Sequence, residues 1–410
     1  MAPTQLPHLL IVNSGRQEYR EYSFESLSRR FRLSAVLPAG PTWQDAYLDR
    51  AVVTDTSDPA ALGEALAQLG ADGPGVGVLT WDETVLEVTA QAAEKLGLPH
   101  MSAAAAAHCR DKYRTRSLMA EAGLPSVRYR LVTSEDEALA AAEELGLPVV
   151  VKPRALAGSM GVVLAEDEQQ VRDAYTLAAA VGYADLPTGH GVLVEEFLDG
   201  PEVAIDSAVL GSRVRSAYVA KKELAFAPYF EEVGHLVSGF TDEPWQQEAR
   251  LLVRDAHRAL GVEHGVTHAE VRMTAAGPRL VELNGRLGGG LIPWAGQLAT
   301  GIDLVGAAGD LAVGKDVLLT PDRHRTAGIR FLYPPFDCTV REIDLAGCLE
   351  VPGVVRALTL AGPGTALRLP PKEAIPRLAV LVTVADDEDT CRRVLDEAEQ
   401  RAVCSLEPLA

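Results

Sequence analysis

Two stretches of the sequence decide the fold: residues 267–271, THAEV, and residues 280–286, LVELNGR. In both, apolar and polar residues alternate, which predicts two strands of one sheet. Because successive side chains of a strand point to opposite faces, Glu282 and Asn284 share a face, and Glu270 joins them from the adjacent strand. The sequence therefore predicts two carboxylates and an amide oxygen on one face of a sheet.

This set of oxygen ligands suits Mg²⁺, with Mn²⁺ as the alternative metal. Arg286 continues the same alternation and would lie beside the metal, where its guanidinium fork matches a phosphate or a carboxylate. A sheet face with solvated charges is the alternative explanation of the pattern.

Two lysines that precede these strands in the chain are the next candidates. Only seven of the 38 basic residues are lysines, so each lysine is informative. Lys152 ends a predicted strand and is followed by a loop of small residues whose backbone N–H groups can approach phosphates. Lys112 follows Asp111 at the start of a predicted helix. An ordinary hairpin and a solvated helix charge are the alternatives. The loop comprises Gly158, Ser159, Met160 and Gly161.

Between the lysines and the polar strands lies a third segment, residues 192–198, VLVEEFL. It is predicted to be a strand that turns at residues 199–200 and resumes with Glu202. The exposed backbone of such a turn can pair with an adenine edge, and the acid after it can accept ribose hydroxyls. An ordinary strand and turn would give the same pattern.

The composition limits the classes of partner. The chain has 410 residues, of which 47% are apolar and 23% charged, as in a globular protein of several domains. Its 57 acidic residues against 38 basic ones give a net charge of −19. This charge repels a polyphosphate backbone and an anionic membrane, so we expect neither nucleic acid nor a membrane as partner. A homodimer is left open.

The cysteines and the N-terminus indicate the compartment. The five cysteines are scattered and never spaced as CxxC, which indicates neither a disulfide framework nor a zinc site. The apolar run at residues 8–12 is too short for a signal peptide, and no stretch approaches a membrane span. We expect a cytoplasmic protein. The cysteines are Cys109, Cys338, Cys348, Cys391 and Cys404.

Strand and helix patterns alternate over residues 1–105, which predicts a parallel sheet. Three predicted helices end with Gly-Leu-Pro, at Gly97, Gly123 and Gly146, where Gly closes the helix and Pro prevents its continuation. After about residue 315 the density of Pro and Gly rises, which indicates a separate C-terminal β-rich unit with an acidic helix at its end.

In this order, the motifs resemble those of the ATP-grasp superfamily of carboxylate-amine ligases, most of all the L-amino-acid ligases that make dipeptides. The resemblance runs from residue 1 to about 315, and it is most specific at residues 282–290, ELNGRLGGG. One departure is Gly285, which stands where the family usually has Pro before the arginine. The implied fold class is α/β and α+β, with a Rossmann-like domain at 1–105, an ATP-grasp domain at 106–315 whose lid spans about 120–191, and a C-terminal α+β domain at 316–410.

The resemblance also implies a role for each motif. Lys112 and Lys152 contact ATP phosphates, and Lys152 and Arg286 act in catalysis. Arg286 is the cation that stabilises the acyl-phosphate and tetrahedral intermediates. The other implied contacts are the covering loop of Gly158, Ser159, Met160 and Gly161, the adenine hinge of Glu195, Glu196, Phe197 and Leu198, the ribose acid Glu202, and the metal ligands Glu270, Glu282 and Asn284.

The implied substrates are a small carboxylic acid, such as an amino acid, and an amine, joined with release of ADP and phosphate. No covalent nucleophile is needed, and no Ser/His or Cys/His signature is present. The roles of Lys221 and Lys222 stay open, and so does the identity of both substrates. The residues expected near the substrates are Glu232, His235, His268, Gly288, Gly289, Trp294 and Arg330.

Three other functions compete with this one. An oxidoreductase would need a glycine fingerprint after the first strand, and residues 13–16, NSGR, do not supply it. A non-catalytic nucleotide-binding regulator could lose its metal ligands, but Glu270, Glu282 and Asn284 are all present. An ATP-grasp ligase or carboxylase of nucleotide metabolism is the nearest alternative, and it would depend on bicarbonate or a sugar amine.

Overall fold

The computed structural model of the protein describes residues 6–71, 75–156, 158–182 and 191–409. Within these ranges the strands form four sheets, one of them with eight strands. No helix of the described residues is both long and apolar enough to cross a bilayer.

The N-terminal layer is a parallel four-stranded sheet with strand order β3-β2-β1-β4. This arrangement confirms the parallel sheet expected from the alternating pattern. Its third helix ends at Gly97 in the left-handed conformation, as the Gly-Leu-Pro stop predicts. The elements are β1 His8–Val12, α1 Gln17–Ser28, β2 Arg32–Leu37, β3 Arg50–Val53, α2 Pro59–Gly70, β4 Val76–Leu79 and α3 Leu86–Leu96, with short 3₁₀ helices at Trp43–Tyr47 and Glu83–Val85.

A second, antiparallel sheet has the order β5-β8-β6-β7 and is covered on one face by α6 and α7. Residues 157 and 183–190 of the expected lid lie outside the described residues. The elements around this sheet are α4 Ala103–Arg110, α5 Lys112–Glu121, β5 Tyr129–Val132, α6 Glu135–Leu145, β6 Val149–Pro153, β7 Val163–Ala165, α7 Glu168–Ala180 and β8 Val192–Glu196.

The central sheet has eight antiparallel strands in the order β13-β12-β9-β10-β11-β14-β18-β16. Its first half contains the two strands that decide the fold, paired so that Glu270 faces Glu282. The elements of this half are β9 Glu202–Leu210, β10 Arg213–Ala225, β11 Glu231–Ser238, α8 Pro244–Leu260, β12 His264–Thr274, β13 Gly277–Asn284, α9 Ile292–Thr300 and α10 Leu304–Ala312.

The C-terminal residues are rich in strands, as expected, but three of these strands do not form a sheet of their own. β14 pairs with the free edge of β11 and thereby satisfies backbone groups that would otherwise be unpaired. A separate small sheet has the order β17-β15-β19. The elements are β14 Thr326–Leu332, β15 Cys338–Asp344, α11 Ala346–Leu349, β16 Val354–Thr359, β17 Ala366–Leu367, β18 Ala379–Ala385, α12 Glu388–Gln400 and β19 Val403–Pro408.

The largest hydrophobic core joins the N-terminal layer to one face of the central sheet through α9 and α10. At Gly296, α9 lies directly against the ring of Tyr218 on β10, and a β-carbon there would overlap the ring. The small residue therefore sets how closely this helix approaches the sheet.

We expect Gly296→Ala to lower the free energy of unfolding by about 1–3 kcal/mol, because the added methyl group must displace a buried aromatic ring. The measurement is urea denaturation followed by tryptophan fluorescence. Gly63→Ala is the matched control, since a methyl group at this partly exposed position of α2 meets no atom within 4 Å. The control should be neutral or stabilise by up to about 1 kcal/mol, and equal effects of both changes would contradict the packing argument.

Candidate active site

A deep cleft separates the second sheet from the face of the central sheet that carries Glu270 and Glu282. Its empty volume is about 820 Å³, including the open mouth. Nearly all the residues expected to contact a nucleotide line it. These are Lys112, Lys152, Gly158, Ser159, Met160, Glu195, Glu196, Phe197, Leu198 and Glu202.

The loop after Lys152 is a tight turn. Gly158, Ser159 and Gly161 all have positive φ angles, between 55° and 70°, where glycine is favoured. The amide of Val162 donates to the carbonyl of Ser159 and closes the turn. Gly161 does not line the cleft but packs against Pro153 below it, so of the four expected loop residues three face the cleft.

Lys152 lies at the root of this loop in a buried ion-pair cluster. Its Nζ is 2.6 Å from Glu195 Oε2, and Arg116 Nε is 3.0 Å from Glu195 Oε1. Burial opposes the charge of Glu195, but the two cations lower its pKa to about 2. Burial lowers the pKa of Lys152 to about 8, although Glu195 acts against this shift. Arg116 was not predicted, because nothing in the sequence of its helix marks it.

Lys112 occupies the first turn of α5, whose N-terminus is capped by the side chain of Asp111. Its Nζ donates to the carbonyl of Leu156 at 2.6 Å and is 2.8 Å from Glu282 Oε1. The two expected phosphate lysines therefore reach the cleft from different elements, Lys112 from a helix and Lys152 from a strand.

The expected hinge follows β8. Glu196 turns its carboxylate away to bind the backbone and side chain of Arg128, both at 2.8 Å. The amide of Phe197 donates to the carbonyl of Pro148. The segment up to Leu198 is thereby held in an extended conformation along the cleft.

Lys222 joins three glutamates at the floor of the cleft. Its Nζ is 2.7 Å from Glu202, 2.6 Å from Glu232 and 3.1 Å from Glu270. Burial disfavours the charge of Lys222, but these carboxylates raise its pKa well above the ordinary value. The neighbouring Lys221 points elsewhere and pairs with Glu388, which distinguishes the two lysines whose roles the sequence left open.

Beside this group lies a buried chain of polar side chains. Tyr218 donates to Asp206 at 3.0 Å, and Asp206 is 2.5 Å from His268 Nδ1. His268 Nε2 is 3.5 Å from Glu270. Burial opposes the imidazolium, but Asp206 and Glu270 raise the pKa of His268 to about 9. His268 is therefore a cation at neutral pH that orients Glu270.

The structure provides the three expected metal ligands on one face. Glu270 and Glu282 are directly opposite in register, and Asn284 is opposite His268 two pairs further along, on the same face. No group of three His, Cys, Asp or Glu side chains forms a metal-binding cluster within the described residues. A cation here would therefore use the amide oxygen of Asn284 as well as the two carboxylates, a donor set that fits Mg²⁺.

Arg286 is fixed from the N-terminal layer. Glu83 accepts from Arg286 Nε at 2.5 Å and from Arg110 at 2.8 Å. Burial opposes the charge of Glu83, yet the two guanidinium groups lower its pKa to about 2. Sequence reasoning missed Glu83 because it lies 203 residues from Arg286.

The glycine run after Arg286 forms a turn over the polar chain. A β-carbon at Gly288 would lie 2.9 Å from His268 Nδ1, and one at Gly290 would lie 3.3 Å from His235 Nε2. A β-carbon at Gly289 would meet no atom within 4 Å, so that position borders open space. The glycines allow the backbone of this turn to approach the imidazoles closely.

None of the expected substrate residues lines the cleft itself, and two of them do not lie with the other five beside Glu270. Arg330 projects from the opposite face of β14 and pairs with Glu399 at 2.5 Å and Asp396 at 3.2 Å, both on α12. Trp294 on α9 packs between Tyr22 and Arg356. The structure brings Glu232, His235, His268, Gly288 and Gly289 together and leaves these two outside.

We expect Glu83→Gln to lower the free energy of unfolding by about 3–5 kcal/mol, because it leaves two buried guanidinium groups without their shared carboxylate. Thermal unfolding at pH 7 measures the loss. Glu87→Gln, at an exposed position of α3, is the matched control and should stay within about 0.5 kcal/mol of the wild type. A Glu83 variant as stable as the control would contradict the role of this ion pair.

Comparison with known protein families gives two matches. Residues 145–293 match the ATP-grasp domain, and residues 39–100 match the ATP-grasp N-terminal domain. The chain is 31% identical over 252 residues to the D-alanine–D-alanine ligase of Desulforudis audaxviator, covering 58% of this chain and 71% of that protein. It is 25% identical over 363 residues to the alanine–anticapsin ligase of Bacillus subtilis, covering 79% of this chain and 76% of that protein.

The fold agrees with these sequence matches. The crystal structure of an L-amino acid ligase from Bacillus licheniformis superposes with a TM-score of 0.83 at 23% identity, over 98% of this chain and 99% of that one. The domain matches and the relatives lead to one conclusion. The chain belongs to the ATP-grasp family and is an ATP-dependent ligase that forms carbon-nitrogen bonds.

Proposed function

We propose that the protein joins two amino acids, or an amino acid and a small carboxylic acid, through an acyl-phosphate intermediate, with release of ADP and phosphate. One observation carries this proposal. The cleft lined by Lys112, Lys152, Glu270 and Glu282 suits a nucleotide phosphate. Next to it, His268 contacts Glu270 and lies under the glycine-rich turn that follows Arg286, and this turn suits a tetrahedral anion.

The nucleotide would lie along the segment of Glu196–Leu198, with its phosphates beneath the Gly158–Gly161 loop. Lys112 and Lys152 would contact those phosphates, and Glu202 would accept the ribose hydroxyls. Support comes from the common lining of the cleft by these residues. In this proposal residues 106–315 form the catalytic domain, between an N-terminal domain at 1–105 and a C-terminal one at 316–410, and about 120–191 form its lid.

Glu270, Glu282 and Asn284 would hold Mg²⁺, or Mn²⁺ as the alternative. When bound, this metal supplies positive charge that neutralises phosphate oxygens. Lys222 and His268 hold Glu270 in place from two directions. These two residues therefore orient the carboxylate that faces the nucleotide.

A free carboxylate resists attack by an amine because oxide is a poor leaving group. Transfer of the terminal phosphoryl group of ATP to a carboxylate oxygen forms an acyl phosphate and releases ADP. The amine then attacks the acyl carbon, the bond to the phosphate oxygen breaks, and phosphate leaves. Lys152 would neutralise charge on the transferred group, and Arg286 with the amides of the glycine turn would stabilise the tetrahedral anion.

The protonation state of Lys152 leads to a prediction about nucleotide affinity. Because its pKa is about 8 in the free protein, Lys152 is charged below this pH and neutral above it. ADP affinity should therefore fall as the pH rises above 8, by at most about tenfold per pH unit. Calorimetric titration with ADP from pH 7 to pH 9.5 measures this dependence.

Lys152→Met should bind ADP weakly with a flat profile over this range. Lys95→Met, which removes an exposed lysine near the end of α3, is the matched control and should keep the wild-type profile. A pH dependence that persists unchanged in Lys152→Met would refute the assignment.

The reaction itself is tested by product analysis. With ATP, Mg²⁺ and pairwise amino-acid mixtures, the protein should release ADP and form a product with the mass of a dipeptide. With hydroxylamine in place of the amine it should form a hydroxamate together with ADP. AMP and pyrophosphate would indicate an adenylate and overturn the proposal, and a requirement for bicarbonate would favour a carboxylase.

Glu282→Gln should reduce turnover by about 10²–10³-fold, the loss typical of removing one group that stabilises transition-state charge. Glu342→Gln, at an exposed position of β15, is the matched control and should keep wild-type turnover. Near-normal turnover of Glu282→Gln would show that Glu282 is not a metal ligand.

A further inference from the structure

Three arginines from distant parts of the chain are connected to the glycine-rich turn at Gly288–Gly290 directly or through one neighbouring residue. Arg20 comes from α1, Arg286 precedes the turn, and Arg377 precedes β18. Phe331 lies between Arg377 and the turn. A β-carbon at Gly290 would lie 3.3 Å from a carbon of the Phe331 ring, and Arg377 stacks on the face of the same ring. Arg20 is an electrostatic neighbour of Arg286.

Arg377 is buried, with 8% of its surface exposed. Its guanidinium group stacks 3.5 Å from the centre of the Phe331 ring. Nε donates to the hydroxyl of Tyr333 at 3.1 Å, and one terminal nitrogen donates to the carbonyl of Glu232 at 3.0 Å. These contacts fix the orientation of the group but leave its charge without a carboxylate partner among the described residues.

Arg20 likewise has no ion-pair partner among the described residues. It stacks on the ring of Trp81 at 5.6 Å and is half-buried. Burial lowers its pKa, and the charge of Arg286 adds to this effect.

The other arginines of the site are paired. Arg116 has Glu195, Arg272 has Glu202, and Arg286 has Glu83. An unpaired guanidinium group in such surroundings is costly, because water no longer solvates it and no anion replaces the water. Arg20 and Arg377 therefore differ from these three arginines, each of which has a carboxylate partner.

A further polar group without a partner lies in the same place. His235 is fully buried, and neither ring nitrogen has a hydrogen-bond partner, although Nε2 lies 3.7 Å from Glu232 Oε2. Burial lowers its pKa to about 4, so the ring is neutral. It meets the edge of Phe331, over whose face Arg377 lies. With open space at Gly289, these groups border a region where a ligand can replace their missing partners.

We infer that Arg20 and Arg377 bind a second carboxylate of the substrates, distinct from the carboxylate that becomes the acyl phosphate. This inference rests on the proposed ligase reaction and narrows its substrate class. The second carboxylate belongs either to the amine substrate, as its α-carboxylate, or to the acid substrate, as an acidic side chain. A simple amine paired with a neutral amino acid offers no second carboxylate for Arg20 and Arg377 to bind.

The first test is kinetic and uses Arg20→Gln and Arg377→Gln. In each variant the KM for the substrate that bears the second carboxylate should rise at least tenfold, while the KM for ATP stays within twofold of the wild type. Arg377→Lys should recover part of the loss, because it keeps the charge without the planar fork. Arg330→Gln, on the opposite face of the sheet, is the matched control and should keep both KM values.

The second test identifies which substrate carries the carboxylate. One arm replaces the amine substrate by its α-carboxamide, and the other replaces an acidic side chain by its amide, as in asparagine for aspartate. In the wild type one of these changes should lower kcat/KM at least tenfold. In Arg377→Gln the acid and its amide should have nearly equal kcat/KM values. Equal use of both amides by the wild type would overturn the inference.

The two proposals fail in different ways. Absence of ADP with every mixture refutes the ligase reaction. The carboxylate site is then tested by thermal-shift titration with twenty amino acids and their amides, compared between the wild type and Arg377→Gln. Stabilisation of the wild type by an acid but not by its amide, and loss of this difference in the variant, support the site. If no amino acid shows the difference, the site is refuted as well.

Discussion

The pairing of buried charges across one face of the central sheet is the constraint on which the site depends. Lys222 touches three glutamates from three neighbouring strands, and this arrangement requires β9, β10, β11 and β12 to keep their register. A shift of one residue in any of these strands would turn its charged side chain into a hydrophobic core. The register of the sheet therefore determines the geometry of the cleft.

The sequence was sufficient for the features that depend on local alternation. Glu270, Glu282 and Asn284 share a face because side chains alternate along β12 and β13, and this holds whichever strands lie beside them. The parallel N-terminal sheet also followed from a local pattern, the alternation of strands and helices. The pattern of small residues likewise located the loop at Gly158–Gly161 with its left-handed backbone.

Features that depend on pairing between distant segments could not be predicted in this way. Glu83 and Arg116 are single charged residues in unremarkable helical segments, and only the folded chain brings them to Arg286 and Glu195. Arg330 was misplaced for a related reason. Its neighbour across the strands is Gly234, whereas His235 faces Ile329, so the choice of face depended on a register that the sequence does not reveal.

The ion pairs of Lys112 with Glu282 and of Lys152 with Glu195 have a thermodynamic consequence. Lys112 neutralises the carboxylate of Glu282, which is proposed to hold a cation. A divalent ion bound there would release this lysine toward the phosphates, and a phosphate that attracted the lysine would uncover the carboxylate. Each ligand would thus favour the binding of the other, and linkage requires the two affinities to rise by the same factor.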